Sequence, residues 1–303
     1  MQLRGSWNRT PGQSLSWVVL LIGQIKINTM RTRTLIKSFS DFILTLYYRR
    51  FLIMEMARRD IAQNQIGSFL GFFWTFINPL VLICIFWLVF SVGFKTPSVI
   101  GIPFVVWLTT GLIIWNAFAE TLNGATQAIK SNPHLVKKAL FPLSILPVVR
   151  LVAAVIVHMV FLLILMALIL VYRMPSSIYW LQALYYLAAM MVFVLGLSWI
   201  TASLFVFVRD MAQVINVLLQ FGFWSTPIFW NMDAMDFPAG IKSLLRLNPM
   251  YYVVQGYRDS FLNFVPFWRH SELTIYFWSV TAAAFILGAL IFQRLRPSFA
   301  DVL

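Results

Sequence analysis

One cysteine, three histidines and ten acidic residues among 303 leave the chain poorly equipped for most catalytic chemistry. Cys84 stands alone between Ile83 and Ile85, so no disulfide can close within the chain, and a lone thiol in an apolar run reads as a small buried hydrophobe. His134, His158 and His270 lie far apart and none belongs to an H-E-x-x-H pair, which excludes the usual spacing of a metal centre. Also missing are the G-x-x-x-x-G-K-[ST] phosphate loop, the G-x-S-x-G elbow and a glycine-rich dinucleotide turn. The reading is of a chain that is not an enzyme and carries no cofactor. Any use of ATP requires hydrolysis on a separate polypeptide.

Charge is scarce as well. Asp, Glu, Lys and Arg make up 11% of the residues, against about 25% in soluble proteins. Apolar side chains reach 60% and the mean hydropathy is +0.81. They are gathered into long uncharged runs, which excludes a water-soluble enzyme and predicts an all-α membrane protein. Six transmembrane helices are expected, near Phe69–Phe94, Pro103–Leu122, Leu151–Tyr172, Leu181–Val208, Val214–Trp230 and Leu273–Phe292. The net charge of +13 fits nucleic acid or an anionic lipid surface, and the hydropathy decides for lipid, with no nucleic-acid partner. Most cations outside the spans, among them Lys130, Lys137, Lys138, Arg209 and Arg294, fall on the face that holds both termini. That face is therefore cytoplasmic, and the protein is a multi-pass component of a bacterial inner membrane.

Three regions follow. Residues 1–29 read as a disordered or misannotated extension, because the apolar stretch Leu15–Ile25 is too short to span and Met30 precedes the first organised pattern. Residues 30–68 read as amphipathic helices on the cytoplasmic membrane surface. Leu35, Phe39, Phe42, Ile43 and Leu46 share one helix face, Ile53, Met54, Ala57 and Ile61 a second, and Glu55 is spaced to pair with Arg59. Packing on a partner subunit fits the same pattern. Residues 69–303 form the six-span domain.

Ionisable groups within the spans are limited to Glu120, Arg150 and His158. No carboxylate falls at mid-depth, which argues against a proton-coupled carrier. Glu120 and Arg150 are expected to snorkel or to pair with each other, and His158 to be a hydrogen-bonded structural residue.

Aromatic residues are abundant instead: 28 Phe, 12 Trp and 10 Tyr. Phe69, Phe73, Phe76, Leu80, Ile83, Trp87 and Phe90 follow steps of four and three along the first span. Val217, Phe221, Trp224 and Ile228 make a shorter stripe in the fifth. Such faces offer flat apolar platforms to sugar rings, and equally serve helix packing. Asn78-Pro79 and Thr226-Pro227 mark bends in the same two spans. The segment between the fifth and sixth spans, Asn231–Glu272, is too apolar for an open loop and predicts short re-entrant helices in the outer leaflet.

Together the motifs resemble those of the permease subunits of ATP-binding-cassette exporters for bacterial polysaccharides, which carry O-antigen, capsule or teichoic acid. The resemblance rests on Arg59-Asp60, Gly67-Ser68-Phe69-Leu70-Gly71, Trp74 and Asn78-Pro79, then Lys137-Lys138-Ala139-Leu140-Phe141-Pro142, Arg209-Asp210, Thr226-Pro227-Ile228, Asn248-Pro249 and Tyr257-Arg258. It implies a homodimer joined to two copies of a separate ATP-binding subunit and moving a lipid-linked polysaccharide. Phe69, Phe73, Phe76, Trp87, Phe90, Phe221 and Trp224 would then line the channel. The Asn123–Pro142 loop, with Lys130, Asn132, Pro133, Lys137 and Lys138, would dock on the ATPase, and the outer segment would close the exit. Arg49, Arg50, Arg58 and Arg59 are placed to receive the phosphates of the lipid carrier. Two rivals remain open at this stage: a drug, haem or lipid exporter of the same superfamily, and a membrane-embedded glycosyl- or acyltransferase.

Overall fold

The computed structural model describes residues 41–63, 71–95, 101–138, 141–232 and 235–303. The extension 1–29, the Leu35 and Phe39 positions, and the Gly67–Leu70 motif with Phe69 lie outside the described residues. The chain divides into two units, Met1–Arg49 and Arg50–Leu303. In the first, a helix covers residues 41–48, with the Thr45 hydroxyl donating to the Asp41 carbonyl at 2.7 Å. Phe42 and Leu46 are half-buried on it, whereas Ile43 is exposed.

The second unit is built from helices, with no strand among the described residues. Its longer elements are α1 (Arg50–Gln63), α2 (Trp74–Trp87), α3 (Phe104–Gln127), α4 (Ile145–Val171), α5 (Gln182–Phe207), α6 (Met211–Ser225), α7 (Ala239–Arg246), α8 (Pro249–Arg258) and α9 (Ser271–Leu295). Four helical stretches are long and apolar enough to cross a membrane: Phe104–Gln127, Ile145–Val171, Ile178–Phe207 and Phe267–Val302. These cover the second, third, fourth and sixth expected spans except for Pro103, Tyr172 and Val208 at their edges.

The other two apolar segments are shorter. A 3-10 turn at Gly71–Phe73 leads into α2, which passes through Asn78-Pro79 without a break. Its irregularity comes later, as a π turn over Leu88–Gly93. Helix α6 has 15 residues and stops at Ser225. Thr226 is extended at φ −86°, ψ 131°, as expected of a residue whose helical conformation would clash with the following proline ring.

Inside the bundle, polar side chains satisfy themselves on their own helices. Thr109, Thr110, Thr121 and Thr126 of α3 each donate to the carbonyl four residues back, at 2.6–2.8 Å. A hydroxyl surrounded by apolar side chains has no water to turn to, so this local bond makes threonine tolerable there. Thr126 and Thr201 also meet across α3 and α5 at 2.8 Å. Helices α5 and α9 cross at Gly196 and Gly288, where a Cβ on Gly288 would collide with the Gly196 carbonyl and one on Gly196 would stand 2.7 Å from the Phe285 nitrogen. Two glycines thus let the backbones touch.

From Met235 to Glu272 the segment is built of short helices and turns. Asn248 caps α8 by accepting from the Met250 amide at 3.0 Å, and Pro249 occupies the first turn, where its missing N–H costs nothing. Met250 to Leu262 are buried apart from half-buried Gln255, packed on α3 and α5.

Candidate transport surface

The side chains of α2 and α6 meet at one aromatic cluster. Phe86 stacks on Phe229 with ring centroids 5.7 Å apart and 8° between planes, and on Phe223 at 6.2 Å. Phe90 contacts Phe104 at 5.6 Å and Phe229 at 5.5 Å, and Trp115 of α3 reaches Phe223 at 6.0 Å. Trp224 meets Phe229 edge-on at 4.9 Å. Phe86, Phe223 and Phe229 lie off the stripes read from the sequence, yet they join the two helices.

The π turn accounts for part of this. Three residues apart on an α-helix, Trp87 and Phe90 would share a face; the wider turn, with about 4.4 residues, turns them away from each other. Trp87 is accordingly exposed while Phe90 is half-buried in the cluster. Of the other expected channel residues, Phe73, Phe221 and Trp224 are exposed and Phe76 has no described side chain. Ile83, within the same stripe, is buried. Cys84 is exposed, contrary to the expectation of a buried thiol, in a groove of about 370 Å³ lined by Ile77, Leu80, Val81, Ile85, Leu88 and Val89. An apolar run does not reveal which of its faces meets protein, and Cys84 points away from the bundle.

The segment after α6 is held by two residues of the outer segment. Asn248 donates to the Thr226 hydroxyl at 2.8 Å, and Arg258 donates to the Ile228 carbonyl at 2.9 Å. Arg258 is 2% exposed, and its guanidinium carbon sits 3.5 Å from the centroid of the Trp107 ring. A buried guanidinium needs such a partner, because the aromatic face and the carbonyl together replace the water it has lost. Beside it, Asp259 accepts from Gln255 at 3.0 Å and from Asn263 at 2.9 Å, and faces His270 at 3.2 Å. His158 meets the Tyr257 hydroxyl at 2.9 Å, a structural bond of the kind expected.

At the other end, α1 rests on α4 through buried Ile53 and Ala57. Arg150 of α4 pairs with Asp60 of α1 at 2.7 Å, not with Glu120, because α1 delivers a carboxylate from 90 positions away in sequence. Burial raises the Asp60 carboxyl above its ordinary value of 3.8, outweighing the opposing pull of Arg150. Glu55 and Arg59 pair at 2.9 Å, as their spacing predicts. Arg50 lies over the Phe51 ring at 5.0 Å, and Arg58 is exposed; Arg49, exposed, closes the first unit.

Residues 128–138 of the connection between α3 and α4 are anchored on the bundle. Lys130 lies over the Phe205 ring at 4.4 Å, the Asn132 amide donates to the Ala128 carbonyl at 2.9 Å, and Pro133 opens a single helical turn to Val136. Lys137 and Lys138 project from it, exposed. The C-terminal turn Phe299–Val302 packs behind, with Phe299 fully buried against Phe207 and Phe292. Among the described residues no group of three or more His, Cys, Asp or Glu is arranged to hold a metal ion.

The sequence is similar to O-antigen export system permease proteins. One from Klebsiella pneumoniae is 25% identical over 254 residues, covering 83% of this chain and 95% of the relative. Another, from Myxococcus xanthus, is 26% identical over 264 residues, covering 84% and 96%. The ABC-2 type transporter family matches residues 52–262, a stretch that takes in most of α1, the aromatic cluster, the anchored connection and most of the outer segment. Apolar helices matched in this order over this length place the chain in the ABC-2 type transporter family.

Proposed function

We propose that this chain is the channel-forming transmembrane subunit of an ATP-driven exporter that moves a lipid-linked polysaccharide across a bacterial inner membrane. The observation that carries the reading is the pair of exposed faces on α6 and on α2 with its leading turn, with Phe73, Trp87, Phe221 and Trp224 outward and the aromatic cluster joining the helices behind them. The permease relatives, matched over nearly their whole length, support the class of cargo.

In this reading the protein has six spans and cytoplasmic termini. The 23 helical residues of Gly71–Gly93 and α6 with its extended tail supply the first and fifth spans. Two copies assemble with two copies of a separate ATP-binding subunit, which docks at Lys130, Asn132, Pro133, Lys137 and Lys138. ATP binding draws the partner subunits together, and the force reaches the bundle through the 123–142 connection and α1. The Asp60–Arg150 pair transmits that motion into α4. Arg49, Arg50, Arg58 and Arg59 gather the phosphates of the lipid carrier at the inner leaflet. The glycan then threads outward along the aromatic faces, past α8.

The test is secretion of polysaccharide by cells in which the Trp87→Ala and Trp224→Ala chain replaces the native one. Secretion falls at least tenfold if rings carry the cargo. Unchanged secretion, with normal amounts of protein in the membrane, rejects the channel assignment.

A further inference from the structure

We propose that Gln213, Asn216 and Gln220 of α6 form a hydroxyl-reading strip, and that its ligand is the neutral, hydroxyl-rich part of the glycan as it passes. The inference rests on the export reading and adds the residues that recognise the cargo. All three amides are exposed, and no described residue offers them a hydrogen-bond partner.

Their setting argues against lipid as the solvent of this flank. The opposite side of α6 is buried through Ile215 and Leu219, so the helix lies with one flank against the bundle and the amides on the other. An amide facing hydrocarbon has nothing to bond, and a run of three on one flank would be costly; polar side chains at this depth face a protein interior or a water-filled cavity.

The chemistry of the strip selects the occupant. At 3.6 residues per turn, Gln213, Gln220 and Trp224 stand within roughly 40° of one another, with Val217 next to Trp224 and Phe221 and Asn216 at the two edges. Amide donors and acceptors thus run beside aromatic rings over about 16 Å of helix. A sugar presents the matching pair, an apolar ring face and an equatorial edge of hydroxyls. From Met211 to Ser225 the helix carries no charged residue. That suits an uncharged chain and gives no ionic grip to phosphate or carboxylate.

The test uses the transporter assembled in cells. In a Cys84→Ser background, single cysteines at 216 and 220 are expected to react with a membrane-impermeant maleimide at least tenfold faster than one at Leu163, which is exposed in the middle of α4, away from both aromatic faces. Rates as slow as that at 163 would mean a dry face, against lipid or a second copy, and would overturn the assignment. The Gln213→Leu, Asn216→Leu, Gln220→Leu triple variant should cut secretion at least tenfold while remaining in the membrane with its ATP-binding partner, and Gln220→Asn should keep most of the activity that Gln220→Leu loses. Normal secretion by the triple variant would overturn the amide assignment alone. An unaltered transporter that secretes no glycan would instead overturn the export reading.

Discussion

Asp60 and Arg150 join the surface helix α1 to the first turns of α4 through a 2.7 Å ion pair, with their side chains 14% and 23% exposed. The native carboxyl is raised because burial outweighs the neighbouring guanidinium. Its folded-state pKa therefore lies above the unfolded one. The proton stabilises the folded form at low pH, and that contribution is lost as pH rises through the native value. Thermal unfolding of the purified protein across pH should show this fall beginning near 3.8, and Asp60→Asn should remove that part of the profile. An unchanged profile in the variant would mean that the group does not titrate as its surroundings require.

Gly288 faces the Gly196 carbonyl with no room for a methyl group. Gly288→Ala must push α5 and α9 apart, at a cost of about 1–3 kcal/mol. A fall in Tm of several degrees in detergent is the expected outcome, whereas Ala282→Gly on the exposed side of α9 should cost about 1 kcal/mol, the intrinsic helix penalty of glycine.

Arg258 holds the Ile228 carbonyl and stacks on Trp107. Arg258→Met keeps an apolar stem but leaves that carbonyl unpaired, costing about 1–3 kcal/mol. Arg258→Lys keeps the charge and loses the planar stack. Both should loosen the 226–230 segment, read as faster maleimide labelling of a cysteine at Phe229, which is 8% exposed in the native chain. Equal labelling in native and variant backgrounds would show that the segment is held by other contacts.

Lys137 and Lys138 project from a connection braced by buried Phe299. Reversing both charges to Glu should reduce recovery of the ATP-binding subunit in a pull-down several-fold without altering the Tm of this chain. Phe299→Ala should lower both, because it removes the support beneath the connection.

What was legible in the sequence followed local rules. The Glu55–Arg59 pair comes from four-residue spacing, and the bend expected at Thr226-Pro227 falls where α6 ends. Four of the expected spans were readable from length and hydropathy alone. What escaped depended on tertiary contact or broken periodicity. Arg150 found Asp60 in place of Glu120 because helix packing, not spacing, sets that pair. The cluster of Phe86, Phe223 and Phe229 was hidden because it forms between separate segments, off the faces that single-helix periodicity picks out, and the parting of Trp87 from Phe90 because an extrapolated α-helical stripe cannot anticipate the π turn. The amides of α6 gave a usable signal: three uncharged polar residues at steps of three and four inside an apolar segment.

The uncharged outer flank of α6 also bears on how a polymer of indefinite length could move. A binding surface made of strong ionic contacts would create deep wells, and each sugar would have to be pulled out of one before the next could advance. Stacking rings and amides make many shallow contacts that re-form after a short slip, so friction stays low and nearly even along the path. Such a track has no preferred stopping point, and the length of the product would be set by whatever feeds it rather than by the track.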